Sequence, residues 1–555
     1  MRPVVSTVAS VLCLAALTVS VATCQDLPAD WKQKLEPEGD AWKKVPQEFT
    51  WNNGAEPETL DPHVMTGVPE HRLASCIFEG LVGQHPETLQ PIPAGAESWE
   101  KSADGLVYTF HLRANAKWSN GKPVTAKDYA ASWERVLKPA TACQYAYMLY
   151  PLKNAEAYNK QGADDDKGGK RPEVKWETVG VSAKDDRTLV VTLERPCAYF
   201  LDLVAFETSF PVPLDLVAEH GDRWVRAEYI VGNGPFKVAE WLPNQHITLV
   251  KNEHYWDAAT VKLTKVTVLP NPDLEAVYKL FRTGKCDWMD DVPIAKIDEA
   301  KQLPEYYVAP YLGSYFYRIN VTKKPFDDPR VRRALALSID RAQITKDLLK
   351  AGQVPATWFV PAMHGYAPPK GLAYDRAAAR KLLAEAGFPE GKGFPEGVEL
   401  LYNTLEAHKV IAENVAQQWR ENLGITVSLR NSEWKVYLND VQHLQYGIAR
   451  AAWIGDYVDP NTFLDMFVTG GGNNQTGWSN KKYDELIAAA SRELDPAKRA
   501  QVLVEAEKLL IEQEMPIIPI YIYVKKGLLS PEVCGFYENV RDQHPLQFVW
   551  MEPAE

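Results

Sequence analysis

Two periodicities divide the chain. In its first half, short runs alternate apolar and polar residues with the period of two that turns one face of a strand toward a core. They are Phe49–Asn53, Val107–Leu112, Thr188–Leu193, Phe236–Trp241 and Ile247–Lys251, with Val261–Leu269 continuing the β character. Gly232-Asn233-Gly234-Pro235 marks a turn ahead of the fourth run. Thr125, followed three residues on by Asp128, forms a capping box for a helix carrying Tyr129 and Trp133. The turn-rich segments Thr59–His63 and Gly67–Glu70 precede the apolar run Ile77–Val82, which predicts a loop opening a helix there.

From Asp328-Pro329 the period lengthens. Asp as N-cap with Pro at the first helical position starts a helix through Val331, Leu335 and Ala336, and a second spans Asp375 to Ala386, closed by Gly387. Ala407–Leu423 places Ile411, Val415, Trp419 and Leu423 four residues apart, with Gly424 as C-terminal cap. Strands Ile425–Leu429 and Ile448–Trp453 follow, separated by a helix around Trp434–Val441. Asp495-Pro496 starts the last long helix, and Ile517–Val524 supplies a final strand. Alternation of this kind predicts an α/β fold, and no internal repeat is visible.

Length and composition sharpen this pattern. A chain of 555 residues, 46% hydrophobic, suggests roughly three domains. A formal net charge of −12 with both signs scattered argues against nucleic acid or an anionic membrane surface as main partner. The 17 Trp and 25 Tyr suit sites with one apolar and one hydrogen-bonded side, or a large aromatic core. Met1–Thr23 opens with Arg2, runs apolar from Val4 to Val21 and ends in small residues, the pattern of an export signal. Two processings fit it: cleavage after Ala22, or a lipid on Cys24 in a lipoprotein-like box. Asp26–Gln47 is a polar, Pro/Gly-punctuated linker or arm. Cys76, Cys143, Cys197, Cys286 and Cys534 form no close Cys/His cluster, which disfavours zinc and a disulfide framework.

Arg450–Phe467 concentrates candidate chemistry. With Arg450–Gly455 as a strand, Arg450, Ala452 and Ile454 face one way and Ala451, Trp453 and Gly455 the other, with Asp456 beyond the end on the Arg450 face. An ion pair between Arg450 and Asp456 is the structural alternative to a ligand site. No GxSxG, HExxH, phosphate loop or dinucleotide fingerprint occurs, and the histidines are dispersed. Asp164–Gly169 is acidic and glycine-rich but lacks the later Glu of a calcium loop, so a solvated loop is expected there. No cofactor, metal or enzymatic activity is expected.

Gly67-Val-Pro-Glu70, Phe78-Glu-Gly-Leu81, Tyr108-Thr-Phe-His-Leu-Arg113, Lys117-Trp-Ser-Asn-Gly121, Pro325-Phe-Asp-Asp-Pro-Arg-Val-Arg332 and Asp456-Tyr457 occur in that order. Together they resemble bacterial oligopeptide-binding proteins, the extracytoplasmic solute-binding subunits of ATP-driven peptide importers (family 5), from about residue 49 to the C-terminus. The resemblance implies a two-lobed periplasmic-binding-protein fold of the large, type II-like class with a third domain. Residues 47–76, 207–311 and 523–555 would build lobe I, 77–206 the extra domain and 312–522 lobe II, hinged near 311–313 and 521–523.

It also implies residue roles. Asp456 matches the carboxylate that holds a peptide's α-ammonium, and Arg450, His408 and Lys350 match cations that hold its carboxylate at different lengths. Tyr145 matches a residue near the ligand, Val68 and Ala452 offer backbone groups, Trp434 and Trp453 match pocket walls, and Tyr311, Phe316 and Arg318 complete the set. The implied partners are short peptides and the permease subunits of an ABC importer. No nucleic acid is expected, and membrane contact only through a lipid on Cys24; the state is monomeric. Dipeptide or murein-peptide binding, an exported peptide hydrolase and a peptide-sensing co-receptor are the alternatives. The family examples have acidic residues where Thr66 and Arg318 stand and a cysteine pair where Gly313 and Ile454 stand, a change that favours acidic over basic ligands.

Overall fold

The computed structural model describes residues 31–164, 169–197, 199–363, 365–493 and 495–554. The export signal, Cys24 and positions 165–168 of the acidic loop lie outside the described residues.

A mixed sheet runs through the molecule. At one end β1 (Glu48–Asn52) lies parallel to Lys265–Leu269, which continues antiparallel into His246–Lys251 and Phe236–Leu242. The elements that frame the site are, in chain order, α1 (Val68–Ile77), the long strand β2 (Tyr306–Ile319), α2 (Glu406–Leu423), α3 (Trp434–Gln442), β3 (Ile448–Ile454) and β4 (Ile517–Leu529), with others between them. At the sheet's other end Glu399–Asn403 pairs in parallel with both Ser428–Ser432 and β3. β2 and β4, antiparallel to each other over most of their length, carry the sheet from one end to the other. Their ladder shifts register between Pro310 and Ser314 and again between Tyr315 and Phe316.

The two ends have separate cores, giving a two-lobed α/β protein. Phe49, Trp51, Trp224, Phe236 and Val266 pack one lobe; Tyr317, Leu335, Ile411, Val415 and Trp419 pack the other. The fourfold spacing on α2 therefore marks a true core stripe. A third core, including Trp99, Phe110, Tyr129 and Trp133, fills a four-stranded antiparallel sheet. Thr125 N–H donates to Asp128 Oδ2 at 2.7 Å and starts the helix Ala126–Leu137, as the capping box requires.

Several expectations shift. The helix expected at Ile77–Val82 lies earlier, at Val68–Ile77, because Gly67 and Pro69 form its N-terminal turn; Val82–Gln84 is a strand. The strand expected at Ile425–Leu429 is Ser428–Ser432. β2 is not signalled by alternation, since Pro310 and Gly313 interrupt a run buried on both faces from Leu312 onward. Gly313 stands directly opposite Ile454, and a Cβ there would come within 2.4 Å of Ile454 Cδ1, so glycine fits where the family examples have cysteine. Cys76, Cys143, Cys197, Cys286 and Cys534 are all free.

Candidate functional site

β3 is the strand around which the site is built. Opposed residues of paired strands share a face, so Arg450 stands with Tyr317 and Ala452 with Tyr315, while Ala451 stands with Phe316 and Trp453 with Ser314. Arg450 and Trp453 thus face opposite ways, as alternation predicts. The ladder to Glu399–Asn403 stops at Ala449, so from Arg450 to Ile454 β3 is paired by a strand only on its β2 side. An edge of this kind can accept an added extended chain.

Beside this edge is a cavity of about 350 Å³ walled by both lobes and the third domain. Its wall includes Asp456, Arg450, His408, Tyr145, Val68, Ala452, Trp453, Trp434, Tyr311 and Arg318. Tyr145 stacks on Trp453 with ring centroids 5.9 Å apart, and Trp453 Nε1–H donates to the Thr462 carbonyl at 2.6 Å. Trp434 stacks on Tyr437.

Two assigned residues are not on this wall. Phe316 is fully buried against Phe359 and Phe467, because its face of β2 packs into the core shared by the second lobe and the third domain. Lys350 adopts a left-handed backbone (φ 57°) that closes the preceding helix; it is exposed, while its neighbours Leu349 and Gln353 line the cavity. His408 is on the wall but not as a cation. Burial first, then Arg450 and Lys526, push its imidazole well below its ordinary range, and Nδ1 has no partner. It presents a neutral ring to the cavity.

Asp456 begins the turn after β3. Its N–H donates to Thr462 Oγ1 at 2.9 Å, and the Thr462 hydroxyl donates back to Oδ2 at 3.2 Å. The ion pair with Arg450 is not formed. Burial, with Glu207 and Asp465 nearby, holds the carboxyl well above the ordinary aspartate value, against the opposing pull of Arg541. The next acid, Asp459, is taken up by Arg499 through bonds of 2.7 and 2.8 Å. Among the described residues Asp456 is therefore a buried carboxylate with no cation at ion-pair distance.

Arg450 is its converse. One guanidinium nitrogen donates to Tyr523 Oη at 2.7 Å, another to Asn403 Oδ1 at 3.3 Å, and the group lies 4.9 Å from the Tyr315 ring, with Nε unpartnered. No carboxylate pairs with it among the described residues. Burying an unpaired charge is costly: Arg450 bears that cost, and at a separate point of the same cavity it shows in Asp456 as a carboxyl held well above its ordinary value. The arrangement is complementary to a molecule with an ammonium at one end and a carboxylate at the other. Several other groups on the wall pair internally: His71 with Glu207, Lys526 with Asp291, and Arg72 and Lys525 with both Asp290 and Asp542.

Glu70, at the end of the Gly67–Glu70 motif, is a buried acid beside the site that no local sequence pattern singles out. Its Oε1 accepts from the Glu58 N–H at 2.6 Å and, across the cavity, from Trp434 Nε1–H at 3.2 Å, while Oε2 is buried without a partner. Burial pushes its carboxyl up to about 7. Because the folded value lies above the ordinary 4.5, the folded protein holds the extra proton, and this stabilisation is complete below 4.5 and lost as pH rises through about 7. Glu70→Gln imitates the protonated form. It is expected to raise the melting temperature of the empty protein by a few degrees at pH 8 and to have little effect at pH 4, measured by calorimetry; a difference independent of pH would contradict this.

Known proteins share this fold. A family model described as bacterial extracellular solute-binding proteins, family 5, matches residues 90–475. The periplasmic oligopeptide-binding protein OppA of Salmonella typhimurium is 37% identical over 542 residues, covering 96% of this chain and 95% of that one. The crystal structure of Haemophilus influenzae OppA complexed with the peptide RPPGFSPFR aligns with a TM-score of 0.85 at 35% identity, covering 92% of this chain and 99% of that one. A murein tripeptide binding protein in its unliganded open form is also 35% identical, with coverage of 91% and 97%, but aligns with a TM-score of only 0.60. At equal identity, the lobes here match the arrangement of the peptide complex far better than that of the open form.

Proposed function

The chain belongs to the family 5 bacterial extracellular solute-binding proteins, and from that premise we propose that it captures short oligopeptides between its lobes and delivers them to an ABC importer. The observation that carries this reading is the pair of buried, uncompensated charges, Asp456 and Arg450, beside the unpaired edge of β3. Asp456 takes the peptide's α-ammonium, Arg450 its carboxylate, and the edge its backbone. Main-chain pairing gives affinity without reading sequence. Tyr145 and Trp453 form one wall, Val68 lies across the cavity, and His408 contributes a neutral hydrogen-bonding ring.

Binding is followed by closure about the crossings near residues 311–313 and 521–523, which buries the peptide and presents the transporter with a closed surface. The protein acts as a monomer in the periplasm, exported by residues 1–23, with Cys24 as the point of any lipid anchor. It performs no chemistry on its ligand.

Native mass spectrometry of the purified protein tests the reading, followed by calorimetry with di-, tri-, tetra- and pentapeptides. Co-purified peptides of a few residues, recovered intact, are expected. Cleaved peptides, or no binding across the series, would overturn it.

A further inference from the structure

One cation on the cavity wall has no role in the account above. Arg318 lies on β2 opposite Ala449, on the Trp453 face of the paired strands, whereas Arg450 lies opposite Tyr317 on the other face. Arg318 is 6% exposed; its Nη2 donates to the Asn473 carbonyl at 3.2 Å, and the guanidinium also hydrogen-bonds the Tyr437 phenol. Its Nε is buried with no acceptor, and the Phe316 ring lies 5.6 Å away. No carboxylate pairs with it among the described residues.

Its surroundings do not relieve the charge. The groups that interact with it electrostatically are the phenols of Tyr437, Tyr446 and Tyr145 and the like-charged Arg450, and burial further disfavours the cation. Burial holds each of those phenols above its ordinary value, so all three are neutral at neutral pH. A guanidinium does not discharge itself by losing a proton. After internal pairing, Arg541 donates to Gly455 and Gln84 and faces Asp456, and Arg450 awaits a terminal carboxylate. A zwitterionic peptide with neutral side chains satisfies Asp456 and Arg450 and leaves Arg318 buried and uncompensated.

Building on the peptide-binding reading, we infer that Arg318 forms the base of a side-chain pocket beside Tyr145 and Trp453 that selects peptides carrying an acidic side chain. The planar fork of donors suits a carboxylate held by two bonds, and the neighbouring rings exclude water from it. A lysine side chain meets a buried like charge in the same place. The ligand class is short peptides with at least one aspartate- or glutamate-type carboxylate besides the C-terminal one.

The test is calorimetry of alanine tripeptides in which one position, taken in turn, is Glu, Gln or Lys, on the wild-type protein and on Arg318→Met. For wild type, at one position Glu is expected to bind about tenfold or more tighter than Gln, and Lys weaker than both. In Arg318→Met that Glu-to-Gln ratio is expected to fall to near one. Gln peptides that bind as tightly as Glu peptides at every position would overturn this inference while leaving peptide capture standing. A Glu preference that survives in Arg318→Met would overturn the role of Arg318. Failure of every peptide to bind would overturn both readings. The wild-type series alone decides the ligand class, so it stands even where Arg318→Met does not fold.

Discussion

Replacing Asp456 with asparagine is expected to weaken tripeptide binding by tenfold or more while raising the melting temperature of the empty protein. Both effects come from the same buried charge. A charge-assisted bond to a desolvated ammonium is worth about 1.5–3 kcal/mol, and each 1.4 kcal/mol is about a factor of ten in affinity. Asparagine keeps an oxygen for the Thr462 hydroxyl but presents no charge to the peptide. In the empty protein the folded state raises the carboxyl above its ordinary value, so its contribution to stability is complete below 3.8 and lost as pH rises through the raised value. Asparagine removes that loss, and the gain in stability should be larger at pH 7 than at pH 4. Unchanged affinity, measured by calorimetry on a variant that remains folded, would remove Asp456 from the site.

Arg450→Met carries the second large effect. Methionine occupies much of the arginine's length and removes the charge. Tripeptides with a free carboxylate are expected to bind tenfold or more weakly, whereas the same peptides with C-terminal amides should lose much less, since they have no anion to give Arg450. The empty protein should be no less stable, because an unpaired buried cation has been removed, although Tyr523 and Asn403 lose their donor. Arg450 matters the more because His408 is neutral and Lys350 stands outside the cavity. Of the three groups assigned to the peptide carboxylate by resemblance, it alone brings a fixed charge to the wall. Equal losses for acid and amide peptides would place the carboxylate elsewhere.

How far the sequence disclosed this site depended on the range of the signal. The Asp-Pro starts at Asp328 and Asp495, the span from Asp375 to Ala386 and the fourfold stripe from Ile411 to Leu423 are local signals, and their helices form as expected. Strand alternation placed Arg450 and Trp453 on opposite faces correctly. β2 escaped that reasoning because a strand buried on both faces has no alternation to show, and its Pro310 and Gly313 look like breaks when they sit beside a register shift. Phe316 and Lys350 lie off the cavity wall for a related reason. Resemblance assigns a position, but whether a side chain turns into the cavity depends on partners far away in the chain, here Phe359 and Phe467 for one and a left-handed helix end for the other.

The unpaired state of Arg318, Arg450 and Asp456 was equally beyond local pattern. Carboxylates and guanidinium groups occur throughout the chain, and Asp459 is close to Asp456 in sequence. Only the fold shows that Arg499 neutralises one, while among the described residues the other has no cation at ion-pair distance and feels Arg541 only from farther away. Among the described residues, the groups proposed to bind the ligand are those with no oppositely charged partner at ion-pair distance.

The proposed hold of Asp456 and Arg450 on opposite ends of a peptide is what the rest of the binding depends on. Its most direct test is calorimetry of one tripeptide in four forms on the wild-type protein: free, N-acetylated, C-amidated and capped at both ends. The account predicts that each single cap weakens binding about tenfold or more and that the double cap weakens it further. A doubly capped tripeptide that binds as tightly as the free one would contradict it.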